Sequence, residues 1–303
     1  MLMLISGFYD EVVSDLDAQI ETATCLGGKY ACLRQINGKN IADFTLEEFA
    51  KTVKPRLDAA GLGVSSLGSP IGKMPLYNDE AYAKQTTQLT ELVKIANACG
   101  CKYIRVFSFY NHGGNFEKVC ERLRGFIEIA QTGGVTLIHE NEKHIFGDTP
   151  ERCRKLYDAL AGPCFALCYD AGNFIQLGLD PHAAYEQLLD CIVYYHIKDC
   201  GKEGTPVPLG MGEARYDLIL ADLKQSGYGG FLTLEPHTAV YSKLKRVLAL
   251  CPFAFVVTAL RRLRRTFRRI DKKKGVGILQ KVSRKTVFEW QYAALTELLG
   301  NMD

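Results

Sequence analysis

Short apolar runs alternate along the chain with longer stretches that carry helix-start signals. The runs are four to eight residues long and rich in Val, Ile, Leu, Phe and Tyr, which is typical of buried strands. Eight of them are predicted as strands: residues 2–8, 29–34, 64–67, 103–107, 135–140, 165–170, 191–198 and 231–235.

Helices are predicted in the stretches between these strands. Ser14 is the expected N-cap of the first helix, and Thr45 with Glu48 forms a capping box for the second. A further helix begins near Asp148 with proline in its first turn, and others are predicted at residues 79–98, 115–131, 180–190, 216–226 and 286–299. Eight strand-then-helix units is the count that closes a (β/α)8 barrel, here a single domain over residues 1–303.

The composition is typical of a folded protein with a large core. Of its 303 residues, 47% are hydrophobic and 23% are charged. Asp10 and Glu11 interrupt the apolar start and no basic lead precedes it, so no signal peptide is expected. No Gly-rich nucleotide-binding motif follows the first strand. We therefore expect a cytoplasmic protein without membrane association, whose eleven cysteines are reduced thiols.

Four consecutive predicted strands end in a side chain that can bind a metal. These side chains are Glu140, Asp170, His196 and Glu235, and they should converge because the carboxyl ends of barrel strands open onto one face. Three carboxylates and one imidazole suit one divalent ion, either Mn, Mg or Co, with Zn less ideal. Each residue also has a structural interpretation, since a glutamate at a strand end can cap a loop and a lone histidine can belong to the core.

The residues at the strand ends also form a series of short motifs. In chain order they are Phe8-Tyr-Asp-Glu11, Leu33-Arg34, Ser69-Pro-Ile-Gly-Lys73, Arg105-Val-Phe-Ser-Phe109, Glu140-Asn-Glu142, Asp170-Ala-Gly-Asn173, His196-Ile-Lys-Asp199, Gly210-Met-Gly-Glu213 and Leu234-Glu-Pro-His237. With these motifs, residues 1 to about 240 and the last helix resemble the xylose isomerase-like TIM barrel superfamily, in its sugar phosphate isomerase/epimerase group.

The resemblance implies one divalent metal at the barrel mouth, held by Glu140, Asp170, His196 and Glu235. It also implies that Glu140 and Glu235 face each other across a bound sugar and exchange protons with the carbon beside its carbonyl, through a metal-bound enediolate. We therefore expect a metal-dependent isomerase or epimerase of carbohydrate metabolism that acts on a sugar or sugar phosphate. Two bases would give epimerisation and one shuttling base aldose–ketose isomerisation, and the sequence does not choose. Family members are often dimers or tetramers, so a homo-oligomer is expected.

Seven further polar residues near the strand ends are candidate substrate-binding residues: Lys73, Arg105, Glu142, Asn173, Lys198, Glu213 and His237. Lys73 and Arg105 would suit a phosphate or carboxylate on the substrate, but are equally consistent with solvated loop charges. Lys198 is a candidate oxyanion or phosphate contact, and a salt bridge to Asp199 or Glu213 is its structural alternative.

Positive charge is concentrated in one segment. Residues 243–285 contain 15 Lys and Arg against a single acid, Asp271, giving +14, whereas the remaining residues give −11. This segment is predicted as an atypical basic insertion between strand 8 and helix 8, with an apolar run at 247–260. Three interpretations stay open: a helix pair packed on the barrel, a surface that binds a polyanion, or an aberrant replacement of an ordinary loop.

Three other functions are alternatives to the isomerase. The AP-endonuclease branch of the superfamily binds three zinc ions through many histidines, whereas this chain has six histidines and carries Asn173 where that branch carries histidine. Nucleic acid is therefore not an expected partner. A non-catalytic barrel that binds nucleic acid through residues 243–285, and a metal-dependent dehydratase, are the remaining alternatives.

Overall fold

Eight parallel strands form a nearly closed barrel. The computed structural model describes residues 2–110, 114–237, 239–251 and 257–300. The strands are β1 (Leu4–Gly7), β2 (Tyr30–Leu33), β3 (Gly63–Leu67), β4 (Tyr103–Val106), β5 (Thr136–Glu140), β6 (Phe165–Asp170), β7 (Ile192–Ile197) and β8 (Phe231–Leu234). Hydrogen bonds join them in the order β1-β8-β7-β6-β5-β4-β3-β2, and β1 and β2 lie side by side. The predicted (β/α)8 barrel is therefore confirmed.

Helices surround the barrel. Within the described residues they are α1 (Leu16–Cys25), α2 (Leu46–Thr52), α3 (Lys54–Ala59), α4 (Asp79–Ala98), α5 (Phe116–Gly133), α6 (Pro150–Leu160), α7 (Ala171–Gln176), α8 (Pro181–Leu188), α9 (Tyr216–Gln225), α10 (Ala239–Leu250), α11 (Thr258–Lys274) and α12 (Arg284–Gly300). None of these helices is long and apolar enough to cross a lipid bilayer.

The helix boundaries differ from the prediction at a few sites. The N-cap of α1 is Asp15 and not Ser14: the Asp15 carboxylate accepts from the Ala18 N–H at 3.0 Å, whereas the Ser14 carbonyl accepts from the Gln19 side chain. The predicted second helix is broken into α2 and α3 at Val53, beside Pro55, which lacks an N–H for the helical ladder. Thr45 caps α2 as predicted.

A hydrogen-bonded polar layer fills the middle of the barrel. The Tyr194 hydroxyl contacts Ser65 Oγ at 2.9 Å and Ser66 Oγ at 3.0 Å, and it also contacts Thr233 Oγ1. Ser6 Oγ lies 2.6 Å from Ser65 Oγ, so the layer extends to β1. These groups are fully buried, and their mutual hydrogen bonds offset the cost of removing them from water.

The basic segment contains the helices α10 and α11, which share a small core with the loop after β7 and the start of α12. This second core is made of Val207, Met211, Tyr241, Leu248, Phe267, Ile270, Val282 and Val287. Asp271 is buried in it, with its Oδ1 2.5 Å from Lys245 Nζ and bonded to the Tyr241 hydroxyl. For the described residues, a helix pair packed on the barrel is therefore the interpretation that fits. Residues 252–256 of the apolar run lie outside the described residues, and an insertion relative to the family stays a prediction.

Replacing Asp271 with alanine should destabilise α10 and α11, because Lys245 would be left as a buried charge without its counter-ion. We expect a loss of about 3–5 kcal/mol in the stability of this unit. Thermal unfolding and limited trypsin digestion of residues 239–285 measure it.

The exposed neighbour Lys272→Ala is the control and should behave as the wild type. The double variant Lys245→Met/Asp271→Leu, which removes both charges, should regain most of the stability. An unchanged unfolding temperature and digestion rate in Asp271→Ala would show that the ion pair does not hold the segment.

Candidate metal centre and active site

Four side chains from consecutive strands meet at the carboxyl end of the barrel. Glu140 and Asp170 end β5 and β6, His196 lies near the end of β7, and Glu235 follows β8. One ligand atom from each lies within 4.8 Å of the ligand atoms of the others. All four residues are buried. The structure thus brings together the complete predicted ligand set.

The register of the strands explains this convergence. Asp170 of β6 pairs with His196 of β7, and His196 pairs with Thr233 of β8. Residues two apart on a strand share a face, so Glu235 lies on the same side as Thr233, whose hydroxyl points into the barrel interior. The four side chains therefore enter one inner layer at similar heights.

His196 lies at the centre of the cluster. Its Nδ1 is 3.0 Å from Glu140 Oε1 and 3.3 Å from Glu235 Oε2, and the Phe8 ring packs against the imidazole edge-on. Burial lowers the pKa of His196, but the neighbouring Cys168 and Glu140 outweigh this effect and raise the pKa well above its ordinary value. These distances also show that Nδ1 is the ring nitrogen that faces the two carboxylates.

Arg105 contacts both glutamates of the cluster. Its Nη1 is 3.0 Å from Glu140 Oε2 and 3.8 Å from Glu235 Oε1. Burial raises the pKa of Glu140, but His196 and Arg105 outweigh burial and lower the pKa to about 2. Burial also raises the pKa of Glu235, but the close contacts with His196 and His237 hold it well below its ordinary value. Both glutamates are therefore ionised at neutral pH.

Lys198 and Asn173, both predicted to contact substrate, hold the ligand side chains in place. Lys198 Nζ lies 2.8 Å from Asp170 Oδ2 and donates to Asn173 Oδ1 at 2.8 Å. Asn173 Nδ2 donates in turn to Glu140 Oε1 at 3.3 Å. Burial raises the pKa of Asp170 to about 6 despite the Lys198 charge. The salt bridge of Lys198 is thus with Asp170, and not with Asp199 or Glu213.

Asn141 fixes the end of β6 against the end of β5. Its Oδ1 accepts from the Asp170 N–H and its Nδ2 donates to the Asp170 carbonyl, both at 2.9 Å. A buried amide that satisfies both backbone groups of one residue sets the position of that residue whatever its side chain. Asn141 had no predicted role, and its place between Glu140 and Glu142 was the signal in the sequence that could have found it.

Arg34 is a site residue that sequence reasoning missed. Its Nη1 lies 2.8 Å from Glu235 Oε1 and its Nε lies 2.8 Å from Asp10 Oδ2. Arg34 directly follows β2, so its position at the end of a barrel strand was the signal that could have found it. Beside it, ligand atoms of Glu11, Glu235 and His237 form a second group within 4.8 Å of one another.

A cavity of about 240 Å³ opens onto the cluster. It is lined by Arg34, Asn40, Pro70, Lys73, Arg105, Glu140, Glu142, Lys198, Glu235 and His237. Lys73 Nζ lies 3.2 Å from Glu142 Oε2 and 4.1 Å from the centre of the Phe107 ring. Most of the predicted substrate-binding residues therefore line one polar cavity.

Asn173 and Glu213 are the predicted substrate-binding residues that do not line this cavity. The Glu213 side chain is exposed, because the preceding loop folds over Asp199. The Asp199 carboxylate accepts from the N–H groups of Gly210, Gly212 and Ala214 at 3.0, 2.9 and 3.2 Å. These bonds fix the loop backbone and leave the Glu213 side chain in solvent.

A larger cavity, about 550 Å³, lies at the opposite end of the barrel. It begins at Leu4 and Ile5 of β1 and is closed by Tyr292 and Leu299 of α12. Among the described residues, its lining contains no carboxylate or histidine, and the chemistry of (β/α)8 barrels takes place at the carboxyl ends of the strands. It is therefore not the candidate active site.

The donor atoms of the cluster fit a divalent cation. Carboxylate oxygens are the ligands of Mg²⁺ and Mn²⁺, and an imidazole nitrogen extends the set to Co²⁺ and Zn²⁺. Asp170 Oδ2 and Glu235 Oε2 are both buried. The first lies close to Lys198 and the second close to His196, but neither contact has the geometry of a hydrogen bond. Each of these oxygens therefore keeps a lone pair for a ligand bond.

Curated proteins that match the chain are sugar phosphate epimerases and related enzymes. L-ribulose-5-phosphate 3-epimerase UlaE of Salmonella typhi is 26% identical over 165 residues, which are 52% of this chain and 58% of that protein. The 2-epi-5-epi-valiolone 7-phosphate 2-epimerase of Actinoplanes sp. (strain ATCC 31044 / CBS 674.73 / SE50/110) is 27% identical over 176 residues, 56% of this chain and 63% of that protein. The match thus spans less than two thirds of either relative.

A solved structure and a family model cover more of the chain. The xylose isomerase-like TIM barrel protein from Mycobacterium smegmatis, in complex with magnesium, matches with a TM-score of 0.70 at 14% identity, covering 100% of this chain and 98% of that chain. At this identity the likeness shows the fold. The family model described as xylose isomerase-like TIM barrel matches residues 30–250. The chain therefore belongs to the xylose isomerase-like TIM barrel family.

Proposed function

We propose that this protein is a divalent-metal-dependent epimerase or isomerase that acts on a sugar or a sugar phosphate. The observation that carries the proposal is the pair of ionised glutamates, Glu140 and Glu235, which flank His196 Nδ1 at 3.0 and 3.3 Å and line one cavity. The curated relatives, named as 3- and 2-epimerases of phosphorylated compounds, support proton transfer beside a carbonyl as the reaction. The magnesium in a structural neighbour supports a divalent ion.

The residues that would hold the cation are Glu140, Asp170, His196 and Glu235. When bound, a divalent cation polarises the carbonyl and the neighbouring hydroxyl of the sugar and so acidifies the C–H between them. Lys198 keeps Asp170 in place through its 2.8 Å contact, so that the ligand set is formed before substrate arrives.

The two glutamates carry the proton transfer. One carboxylate accepts the proton from the carbon beside the carbonyl, which leaves an enediolate. The other carboxylate first takes up a proton from the solvent in the cavity and then donates it to the opposite face of the same carbon. Arg105, within 3.0 and 3.8 Å of the two side chains, favours their ionised forms before substrate binds and fixes their separation. Because carboxylates with low pKa values are weak bases, the reaction depends on the acidified C–H.

Lys73 is placed to bind an anionic group at the far side of the cavity. It is about one-third exposed, at the rim, and its contact with Glu142 is a single 3.2 Å pair. A phosphate at this position would gain a charge-assisted hydrogen bond that a free sugar does not. This arrangement favours a phosphorylated substrate over an uncharged one.

Glu140→Gln or Glu235→Gln should lower turnover about 10²–10⁴-fold, because each removes one acid–base group. Hydrogen–deuterium exchange at the reacting carbon, followed by NMR over a panel of ketoses, aldoses and their phosphates, measures the proton step directly. Metal content is measured on the same samples, so that loss of the ion is separated from loss of the base.

Glu213→Gln is the matched control, since it changes an exposed glutamate beside the same face of the barrel. Wild-type exchange in both active-site variants would rule out the mechanism. Substrate loss without an isomeric product would identify a dehydratase instead.

Removal of divalent ions should abolish activity, and Mn²⁺, Mg²⁺ or Co²⁺ should restore it. The same ions should raise the Tm of the stripped protein, because a ligand that binds the folded state alone stabilises it. Asp170→Asn should reduce that rise in Tm. A stripped protein with full activity and no ion-dependent change in Tm would contradict the metal assignment.

Lys73→Ala should raise KM for a phosphorylated sugar about tenfold and leave kcat within about twofold, because the side chain contributes binding and not proton transfer. The unphosphorylated sugar should show little change in KM. Lys143→Ala, which removes an exposed lysine nearby, is the control. An equal effect on both substrates would exclude a phosphate contact.

A further inference from the structure

One face of α11 carries a continuous row of exposed cations. This basic stripe consists of Arg261, Arg262, Arg265, Arg268, Arg269, Lys272 and Lys273. At 3.6 residues per turn these seven positions occupy an arc of about 140° on the helix. The opposite arc, with Phe267, Ile270 and Asp271, is buried against the second core. The amphipathic pattern therefore separates a packing face from a purely basic outer face.

The protein provides little negative charge to balance the stripe. Asp271 faces inward and is bonded to Lys245 and Tyr241. Among the residues that the structure describes, Glu203 is the only carboxylate within ion-pair distance of the stripe: its Oε2 lies 3.0 Å from Arg262 Nη1, and both side chains are about half exposed. Such an exposed pair is weak. The stripe therefore keeps most of its positive charge toward solvent.

The stripe works against the stability of the helix that carries it. Like charges three and four residues apart on a helix repel one another, and here they follow each other over three turns. The packing of Phe267 and Ile270 holds α11 in place despite this repulsion. A bound polyanion would remove the repulsion, so the arrangement is unfavourable for the fold alone and favourable for binding.

The length of the stripe and its uniformly positive charge indicate which polyanion it would bind. From Arg261 to Lys273 the helix rises about 18 Å at 1.5 Å per residue. Duplex nucleic acid presents a charge about every 1.7 Å along its axis, so about ten phosphates lie within this length. A helix that binds a membrane surface needs an apolar face for the lipid, and the apolar face of α11 is already occupied by the protein.

We propose that the basic stripe of α11 binds the phosphate backbone of duplex nucleic acid. From the sequence, nucleic acid was not an expected partner because the barrel mouth lacks the histidines of a DNA-repair site, but binding through residues 243–285 stayed open as an alternative. The exposed cations on one face of α11 favour nucleic acid as a partner. This face is separate from the cavity that contains Glu140 and Glu235. The proposal does not rest on the proposed enzymatic activity.

The test uses the full chain and a fluorescein-labelled DNA duplex of 20 base pairs. Binding is followed by fluorescence anisotropy between 50 and 200 mM NaCl, and the slope of log K against log salt counts the phosphates contacted. The stripe variant is Arg265→Gln/Arg268→Gln/Lys272→Gln. The matched control removes three exposed lysines from other surfaces, Lys51→Gln/Lys84→Gln/Lys102→Gln. Circular dichroism checks that both variants are folded.

The wild type should bind with a steep salt dependence. The stripe variant should lose at least about tenfold in affinity at 100 mM salt, with a slope smaller by about 3, whereas the control should change little. Equal loss in both variants, or no binding by the wild type, would overturn the proposal. Exposed Leu244, Val247 and Leu250 of α10 make an anionic membrane the competing partner. Stripe-dependent sedimentation with phosphatidylserine vesicles, without binding to the duplex, would also overturn it.

Discussion

Repulsion among three buried carboxylates is the constraint on which the active-site end of the barrel depends. Glu140, Asp170 and Glu235 place ligand atoms within 4.8 Å of one another, away from water, where like charges repel strongly. Cations from other strand ends approach them: Arg34 after β2, Arg105 in β4 and Lys198 after β7. The barrel makes this arrangement feasible, because β2 and the five strands from β4 to β8 each deliver a residue to the same ring.

Three other parts of the fold surround these charged residues: the polar layer, the loop after β7 and the helices of the basic segment. The polar layer around Tyr194 lies next to the cluster, because the Tyr194 ring packs edge-on against the His196 imidazole. Asp199 collects three backbone N–H groups and so fixes the loop after β7. The helices α10 and α11 pack on this loop: Val207 and Met211 belong to the second core, and Arg269 donates a hydrogen bond to the Met211 carbonyl.

The sequence predicted the barrel and the ligand set because both follow from local patterns. Glu140, Asp170, His196 and Glu235 each end an apolar run, and strand ends in a barrel share one face. The partners of these residues depend on tertiary geometry, so Arg34 and Asn141 were missed. For the same reason the salt bridge of Lys198 was expected with Asp199 or Glu213, whereas it forms with Asp170. The helix pair of the basic segment stayed one of three interpretations, because the sequence there shows neither a clear helical periodicity nor clear turn residues.

The two hydrogen bonds of Asn141 connect the site to the backbone and not to side chains. Since they hold the Asp170 peptide itself, the spacing between neighbouring ligands is a property of the sheet. Lys73 and Asn40 line the cavity but do not bond to the Asp170 peptide. A lineage could therefore exchange rim side chains and acquire a new ligand preference while the backbone under the four clustered side chains stays unchanged.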